Sequence, residues 1–555
     1  MASGRDLAHR ADMVTAAGAR RATSTVPGDQ PAGRADPAAS RRLRLKPGTG
    51  WDDVLARAQA AAPEAFHDGR LLNLWGGSWR PTGVPLSSSV SPVDGRPIAG
   101  PPMIELGEAR EAIGAALADH RAWRDVPLAE RSARVAATVD ALDAHRDTLA
   151  QLLVWEIGKP WRLARTDVDR AIDGVRWYLD EIGGMVAERT SLPGPVSNIA
   201  SWNYPMSVLM HAMLVQVLAG NAAIAKTPTD GGAACLTLAC ALAHRAGLPV
   251  SLVSGPGSRL SGALVRAPEI GALAFVGGRS AGGQVAAALV DTGKRHFLEQ
   301  EGLNAWGIWE FSQWDLLAGH LRKGFEYAKQ RCTAYPRYVV QRQLFDEFLK
   351  MYLPVVESIR FGHPLAVGAD DEDLPDLDFG PLINSLKAAE LASRVDEAIM
   401  KGGVPLYRGS LADGRFLAGQ DTAAYATPTA ILSPPTSCAL HHAEPFGPVD
   451  TIVLVDSEAE LLAAMNASNG ALVASLACDD EDKARRMSAE LAAFKIGINK
   501  PRSRGDRAEP FGGRGASWKG AFVGGEHLVH AVTVGADPHE HLYGNFPSYS
   551  LYPET

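Results

Sequence analysis

The stretch "PVSNIASWNYPMSVLMHAMLVQVLAGNAAIAK", residues 195–226, decides the architecture of this chain. A short β-rich run at 195–201 leads into a longer apolar stretch and then into a second β-rich run at 221–226. The rhythm continues with "VSLV" at 250–253 and "GALAFV" at 271–276, with helix-like segments between. Strands alternating with helices predict a parallel sheet covered by helices. Beyond residue 300 a second alternating series appears, with strands at "PRYVVQ" (336–341), "TIVLVDS" (451–457) and "FKIGIN" (494–499). Its helices are expected at "LFDEFLKMYLPVVESI" (344–359) and "DKARRMSAELAA" (482–493), which makes a second α/β unit. From Trp51 to about Glu181 apolar residues recur every three to four positions, the spacing of helices.

With 555 residues, two or three domains are expected. Hydrophobic residues at 46% and charged residues at 21% allow a sizeable core, and the net charge of −8 leaves no electrostatic footprint for nucleic acid. The five cysteines, at 235, 240, 332, 438 and 478, contain no CxxC pair and fit a reducing, cytoplasmic setting. Polar residues interrupt every apolar run before the roughly 18–20 residues that a membrane-spanning helix needs. Residues 1–48, rich in Ala, Arg, Gly and Pro, read as a disordered arm, and the tail from 515 to 555 as an oligomerisation or packing segment. His441 and His442 lack the i, i+4 spacing of a zinc pair, so no metal site is expected.

Ligands of open α/β sheets bind beyond the carboxyl ends of the strands. Asn203 of "SWNYP" stands at one predicted strand exit and Lys226 at the next, where a lysine can hold a ribose or phosphate oxygen. "SGPGSRLSG" and "FVGGRSAGG" are glycine-rich strand-to-helix turns, and glycine lets the backbone approach a pyrophosphate. In "HFLEQEGLN", Glu299 follows an apolar pair, where partial burial raises a carboxyl toward the range of a general base. Cys332 stands beside Lys329 and Arg331, whose charge favours a thiolate. Taken singly, each of these has a bland alternative: a turn, a solvated lysine, tight packing, a strand-end acid, a core thiol.

In order, WNYP, AK, FVGG, FLEQEG, QRC, EPFGP and PFGG make this chain resemble the aldehyde dehydrogenase superfamily from about residue 85 to 535. The resemblance implies a Rossmann-type dinucleotide-binding domain at 49–297, with a shortened oligomerisation segment near 179–195, and an α/β catalytic domain at 298–514. It implies Cys332 as nucleophile, Glu299 as general base, and Asn203 with the Cys332 amide as oxyanion hole. Lys226 and Thr229 fall at the adenosine ribose, Gly277 and Gly278 where backbone meets cofactor, Glu444 and Phe446 at the nicotinamide ribose and ring, and Trp202 among the cofactor-binding residues. The implied reaction is oxidation of an aldehyde to a carboxylic acid with NAD or NADP, in a possible homodimer. The alternatives are a coenzyme A-acylating dehydrogenase, which the presence of Glu299 disfavours, and a scaffold that keeps the fold without turnover.

Departures from the family pattern are also visible. Glu301 and Leu303 stand where members often have glycine and lysine, Lys329 where they often have glycine, and Gly278 where they often have serine. Side chains at 301 and 329 are expected to crowd the nicotinamide path. Thr229 stands where NAD-preferring members often carry an acid, and Asp230 follows it.

Overall fold

Apolar runs such as Ala223–Lys226 and Val250–Val253 are buried along their whole length, as strands covered on both faces must be. The structure is a computed structural model describing residues 43–85, 89–369, 373–468, 470–503, 507–537 and 540. The strands of its two large sheets are, in chain order, β1 (Asn73–Trp75), β2 (Ser78–Arg80), β3 (Val196–Ile199), β4 (Ala223–Lys226), β5 (Val250–Val253), β6 (Ala272–Gly277) and β7 (Arg295–Gln300). They continue as β8 (Ala305–Ile308), β9 (Arg337–Gln341), β10 (Val404–Arg408), β11 (Thr429–Leu432), β12 (Val449–Val455), β13 (Ala471–Ala477), β14 (Ala493–Ile498) and β15 (Trp518–Gly520).

The first sheet has the order β15-β7-β6-β3-β4-β5-β1-β2. β7, β6, β3, β4 and β5 run parallel, and the outer strands are antiparallel. Chain order reverses between β3 and β6, which is the switch point where such Rossmann-type sheets bind ligands. The second sheet, β10-β11-β12-β9-β8-β13-β14, is parallel apart from its β10 edge. Among the described residues no helix is long and apolar enough to cross a membrane.

Several boundaries differ from those expected. Helices do fill 106–185, but 66–85 and 102–103 carry short strands, and β1 and β2 extend the first sheet. Strands of two or three residues leave no readable period. The expected border at 297/298 falls inside β7, because Glu299 and Gln300 still pair with β6. Residues 515–555 are not only a tail: Trp518 pairs with Glu299, so β15 closes one edge of the first sheet. Near 179–195 the helix Trp161–Met185 continues well into the segment, and Thr190–Ser191 pairs with Thr533–Val534. Of the expected arm, residues 1–42 lie outside the described residues, whereas Arg44–Leu45 pairs with Ala366–Val367.

Candidate active site

After β3 the chain turns through residues 200–204 and enters a π-helical turn, Pro205–Met210, whose Val208 and Leu209 amides both reach the Tyr204 carbonyl (3.2 and 3.4 Å). Wide turns of this kind gather at functional sites because they re-aim neighbouring side chains. Here the neighbour is Asn203. It is 6% exposed, and its Nδ2 donates to the Gln330 carbonyl at 3.0 Å, joining the exit of the first sheet to the loop that carries Cys332. An amide nitrogen has two hydrogens, so this bond orients the group and leaves a second donor. Below it, Lys159 pairs with Asp167 at 2.8 Å and stacks on the Tyr204 ring at 3.8 Å, while Asp167 accepts the Ser207 amide at 2.9 Å.

Cys332 differs from the other four cysteines in being only partly buried. Its loop is held from several sides. Asn304, wholly buried, donates from Nδ2 to the carbonyls of Cys332 and Ala334, both at 2.8 Å, and its Oδ1 accepts the Leu472 and Val473 amides. The Gln330 side chain donates to the Tyr327 and Pro381 carbonyls and accepts the Ile383 amide. Asn304 belongs to the quoted "FLEQEGLN" run, yet nothing in its sequence position marks it as the brace of a distant loop.

Upstream of the thiol, Tyr327, Ala328 and Lys329 adopt φ of 59°, 52° and 57° in succession. For residues with a Cβ the left-handed region costs roughly 1–2 kcal/mol each. This corrects the expectation for Lys329. The left-handed backbone sends its side chain away from the thiol into the second unit, where it is 1% exposed and pairs with Asp450 at 2.8 Å. Burial lowers the Lys329 ammonium pKa and raises that of the Asp450 carboxyl, each opposed by the partner's charge. Lys329 therefore neither crowds the cofactor path nor serves as a free cation beside Cys332. Arg331 is also engaged, donating to the Lys323 and Gly324 carbonyls. Burial pushes the Tyr204 hydroxyl up, with Arg331, Asp167 and Cys332 all within its electrostatic reach.

Glu299, 3% exposed near the end of β7, lines an apolar cavity with Asn198, Phe275, Phe297, Trp518 and Val523. Glu444 is 4% exposed and neither of its oxygens makes a hydrogen bond of good geometry, with the Gly302 amide giving partial compensation. Burial first, then the carboxylates of Glu301 and Glu299, pushes the Glu444 carboxyl well above its usual range, against Arg279. The Arg279 Nε and Nη2 are buried without hydrogen bonds at the start of the helix Arg279–Leu289. Phe446, at φ 48°, meets Trp202 edge to face at 5.9 Å.

The glycines divide. A Cβ on Gly277 would strike the Phe275 ring at 2.7 Å and one on Gly282 the Gln300 side chain, so these two serve packing. Gly255 likewise sits against Leu260. Gly278 faces open space, with only the Glu301 carboxylate 3.9 Å from where a Cβ would stand. The Glu301 carboxylate is thus next to the Gly278 turn, while Leu303 is 1% exposed. At the carboxyl end of β4, burial pulls Lys226 down to about 8, opposed by Asp230, and its Nζ donates to the Thr227 carbonyl at 2.8 Å. Thr229 and Asp230 are both exposed. It is Asp230 whose charge reaches Lys226. An open helix start, a buried carboxyl lacking good hydrogen bonds, and a buried lysine at the carboxyl end of a strand two places from β6 in the same sheet fit a dinucleotide with its phosphates and ribose hydroxyls. Among the described residues no group of three His, Cys, Asp or Glu is placed to hold a metal ion.

The aldehyde dehydrogenase family model matches residues 79–534, a span that contains every one of these groups. The chain belongs to the aldehyde dehydrogenase family. With that membership comes the reaction class, NAD(P)-dependent oxidation of an aldehyde to a carboxylic acid. This aldehyde dehydrogenase is 26% identical to a succinate semialdehyde dehydrogenase of Acinetobacter baylyi over 74% of its own length and 85% of the relative's. It is 29% identical to the NADP/NAD-dependent aldehyde dehydrogenase PuuC of Escherichia coli, over 74% and 82%. Its fold superposes on the NADP-dependent glyceraldehyde-3-phosphate dehydrogenase of Bacillus halodurans, complexed with NADP, with a TM-score of 0.74 at 25% identity, covering 84% of this chain and 98% of that one.

Proposed function

We propose that Cys332 is the nucleophile of this aldehyde dehydrogenase, that Asn203 and the Cys332 backbone N–H form its oxyanion hole, and that Glu299 activates the hydrolytic water. The observation that carries this reading is the 3.0 Å bond from Asn203 to the Gln330 carbonyl, which brings the strand-exit amide to within two residues of the one cysteine that is not buried. The thiolate adds to the aldehyde carbon, and the carbonyl oxygen becomes an alkoxide held by preorganised donors. The dinucleotide, when bound, supplies the hydride acceptor that takes the thiohemiacetal to a thioester. Glu299 then removes a proton from water, hydroxide adds to the thioester carbonyl, and the carboxylic acid departs as the Cys332 thiolate is restored.

Lys226, Thr229, Gly278, Glu444, Phe446 and Trp202 are proposed to hold the cofactor. Lys226 and Thr229 stand at the adenosine ribose, Gly278 at the phosphates, and the other three at the nicotinamide end. Gly277 supports the turn by packing on Phe275. Because Asp230 is the charge that Lys226 senses, we place it beside the ribose, where a carboxylate favours NAD over NADP. Several relatives act on semialdehydes, and the same substrate class is the first to try.

The test is a panel of semialdehydes and simple aldehydes with NAD and with NADP, read by reduced-cofactor absorbance, for the native enzyme and Cys332→Ala. The variant is expected to bind cofactor and form no reduced product. Equal turnover in both removes Cys332 from the mechanism, and product that appears only with coenzyme A selects the acylating alternative.

A further inference from the structure

The segment before the nucleophile holds three left-handed residues in a row, and the last of them, Lys329, carries a long side chain where glycine would be free of strain. Such a backbone persists only when its surroundings over-determine it. Lys329 Nζ lies 2.8 Å from Asp450 Oδ1 and donates to the Tyr335 carbonyl at 3.2 Å. It also stands 4.2 Å over the Phe325 ring. Asp450, wholly buried on β12, accepts the Tyr352 hydroxyl at 2.8 Å with its other oxygen. Tyr335 follows Cys332 by three residues and Lys329 precedes it by three, so the ammonium spans the thiol's own loop and anchors it to the second sheet.

We propose that the Lys329–Asp450 ion pair is a positioning device: it clamps the left-handed run Tyr327–Lys329 and thereby fixes the Gln330 carbonyl that aims Asn203, and Cys332 two residues further on. The inference rests on the reading of Cys332 as nucleophile. A pair that only stabilised the core would affect turnover through unfolding alone. A clamp affects it in the folded enzyme, because a shift of about 1 Å in a reacting group can cost on the order of a hundredfold in rate.

Lys329→Met/Asp450→Asn removes both charges and keeps the strain, whereas Lys329→Gly/Asp450→Asn removes both charges and the strain. The readouts are kcat, KM, the dissociation constant of the cofactor, the unfolding midpoint and the rate of Cys332 alkylation by iodoacetamide. For the methionine variant the clamp predicts a kcat at least about tenfold down, an alkylation rate changed by a similar factor, and a cofactor dissociation constant within about twofold of native. For the glycine variant it predicts kcat within about threefold of native. Native kcat and alkylation in the methionine variant overturn the proposal, as does a kcat that follows the unfolding midpoint in both variants. If the methionine variant does not fold, Asp450→Glu keeps the pair but displaces it by one methylene, and unchanged kcat and alkylation there also overturn the clamp. If the native enzyme turns over no aldehyde, the functional reading has failed, and the alkylation ratios still decide whether the pair governs the loop.

Discussion

The nucleophile loop and the cofactor cleft leave their polar groups in opposite conditions. Around Cys332, Asn304, Gln330, Lys329 and Arg331 are engaged with backbone or with a buried partner. In the cleft, the oxygens of Glu444 and two nitrogens of Arg279 are buried without good hydrogen bonds. Buried polar groups without partners are costly, so under the proposed function a bound cofactor gains most at Glu444 and Arg279, whereas around Cys332 the polar groups are engaged apart from the Arg331 Nε. Under the proposed function, the chemistry stands on the braced loop and a bound cofactor completes the groups around Glu444 and Arg279.

The largest expected effects come from the residues proposed to carry the chemistry. Glu299→Gln is expected to slow thioester hydrolysis by roughly a hundredfold or more, with a burst of reduced cofactor preceding the slow phase in stopped-flow absorbance. A native steady state with no burst assigns the base elsewhere. Asn203→Ala should lower kcat by on the order of a hundredfold with cofactor binding retained, and a loss confined to KM contradicts an oxyanion role. The cleft should respond more mildly. Glu301→Gly removes a carboxylate beside Gly278 and is expected to tighten cofactor binding roughly three- to tenfold by calorimetry; weaker binding means that Glu301 contacts the cofactor favourably.

The comparison also yields a pH effect with a definite sign. Lys226, pulled down to about 8 by burial, is charged below that pH and neutral above it. Charge on the amine favours a 2′-phosphate, so the NADP dissociation constant should rise between pH 7 and 9 more than that of NAD. Parallel profiles remove Lys226 from contact with that end. Hydrogen exchange sharpens the contrast: adding cofactor should protect amides at 278–282 and 444–447 and leave 327–335 unchanged.

How far the sequence could be read follows from the same physics. Strands buried on both faces, such as Ala223–Lys226, are apolar up to the residue at their exit and were legible, and so were the strand exits carrying Asn203 and Lys226. The strands at 66–85 were not, because each is two or three residues long and held by pairing rather than by pattern. Lys329 was misplaced for a different reason. Its direction is set by a positive φ that lysine rarely adopts, and its partner Asp450 lies far along the chain. Glu301 follows the end of β7 directly, which brings its carboxylate beside the Gly278 turn. The bracing role of Asn304 depends on β13, whose strand was not recognised.

The most direct test of the central claim is mass spectrometry of Glu299→Gln quenched in acid after mixing with aldehyde and oxidised cofactor. The account predicts that the peptide bearing Cys332 gains the mass of one acyl group, in step with the burst of reduced cofactor. Continued formation of reduced cofactor with that peptide unmodified, and the acyl group on another residue or on none, would contradict it.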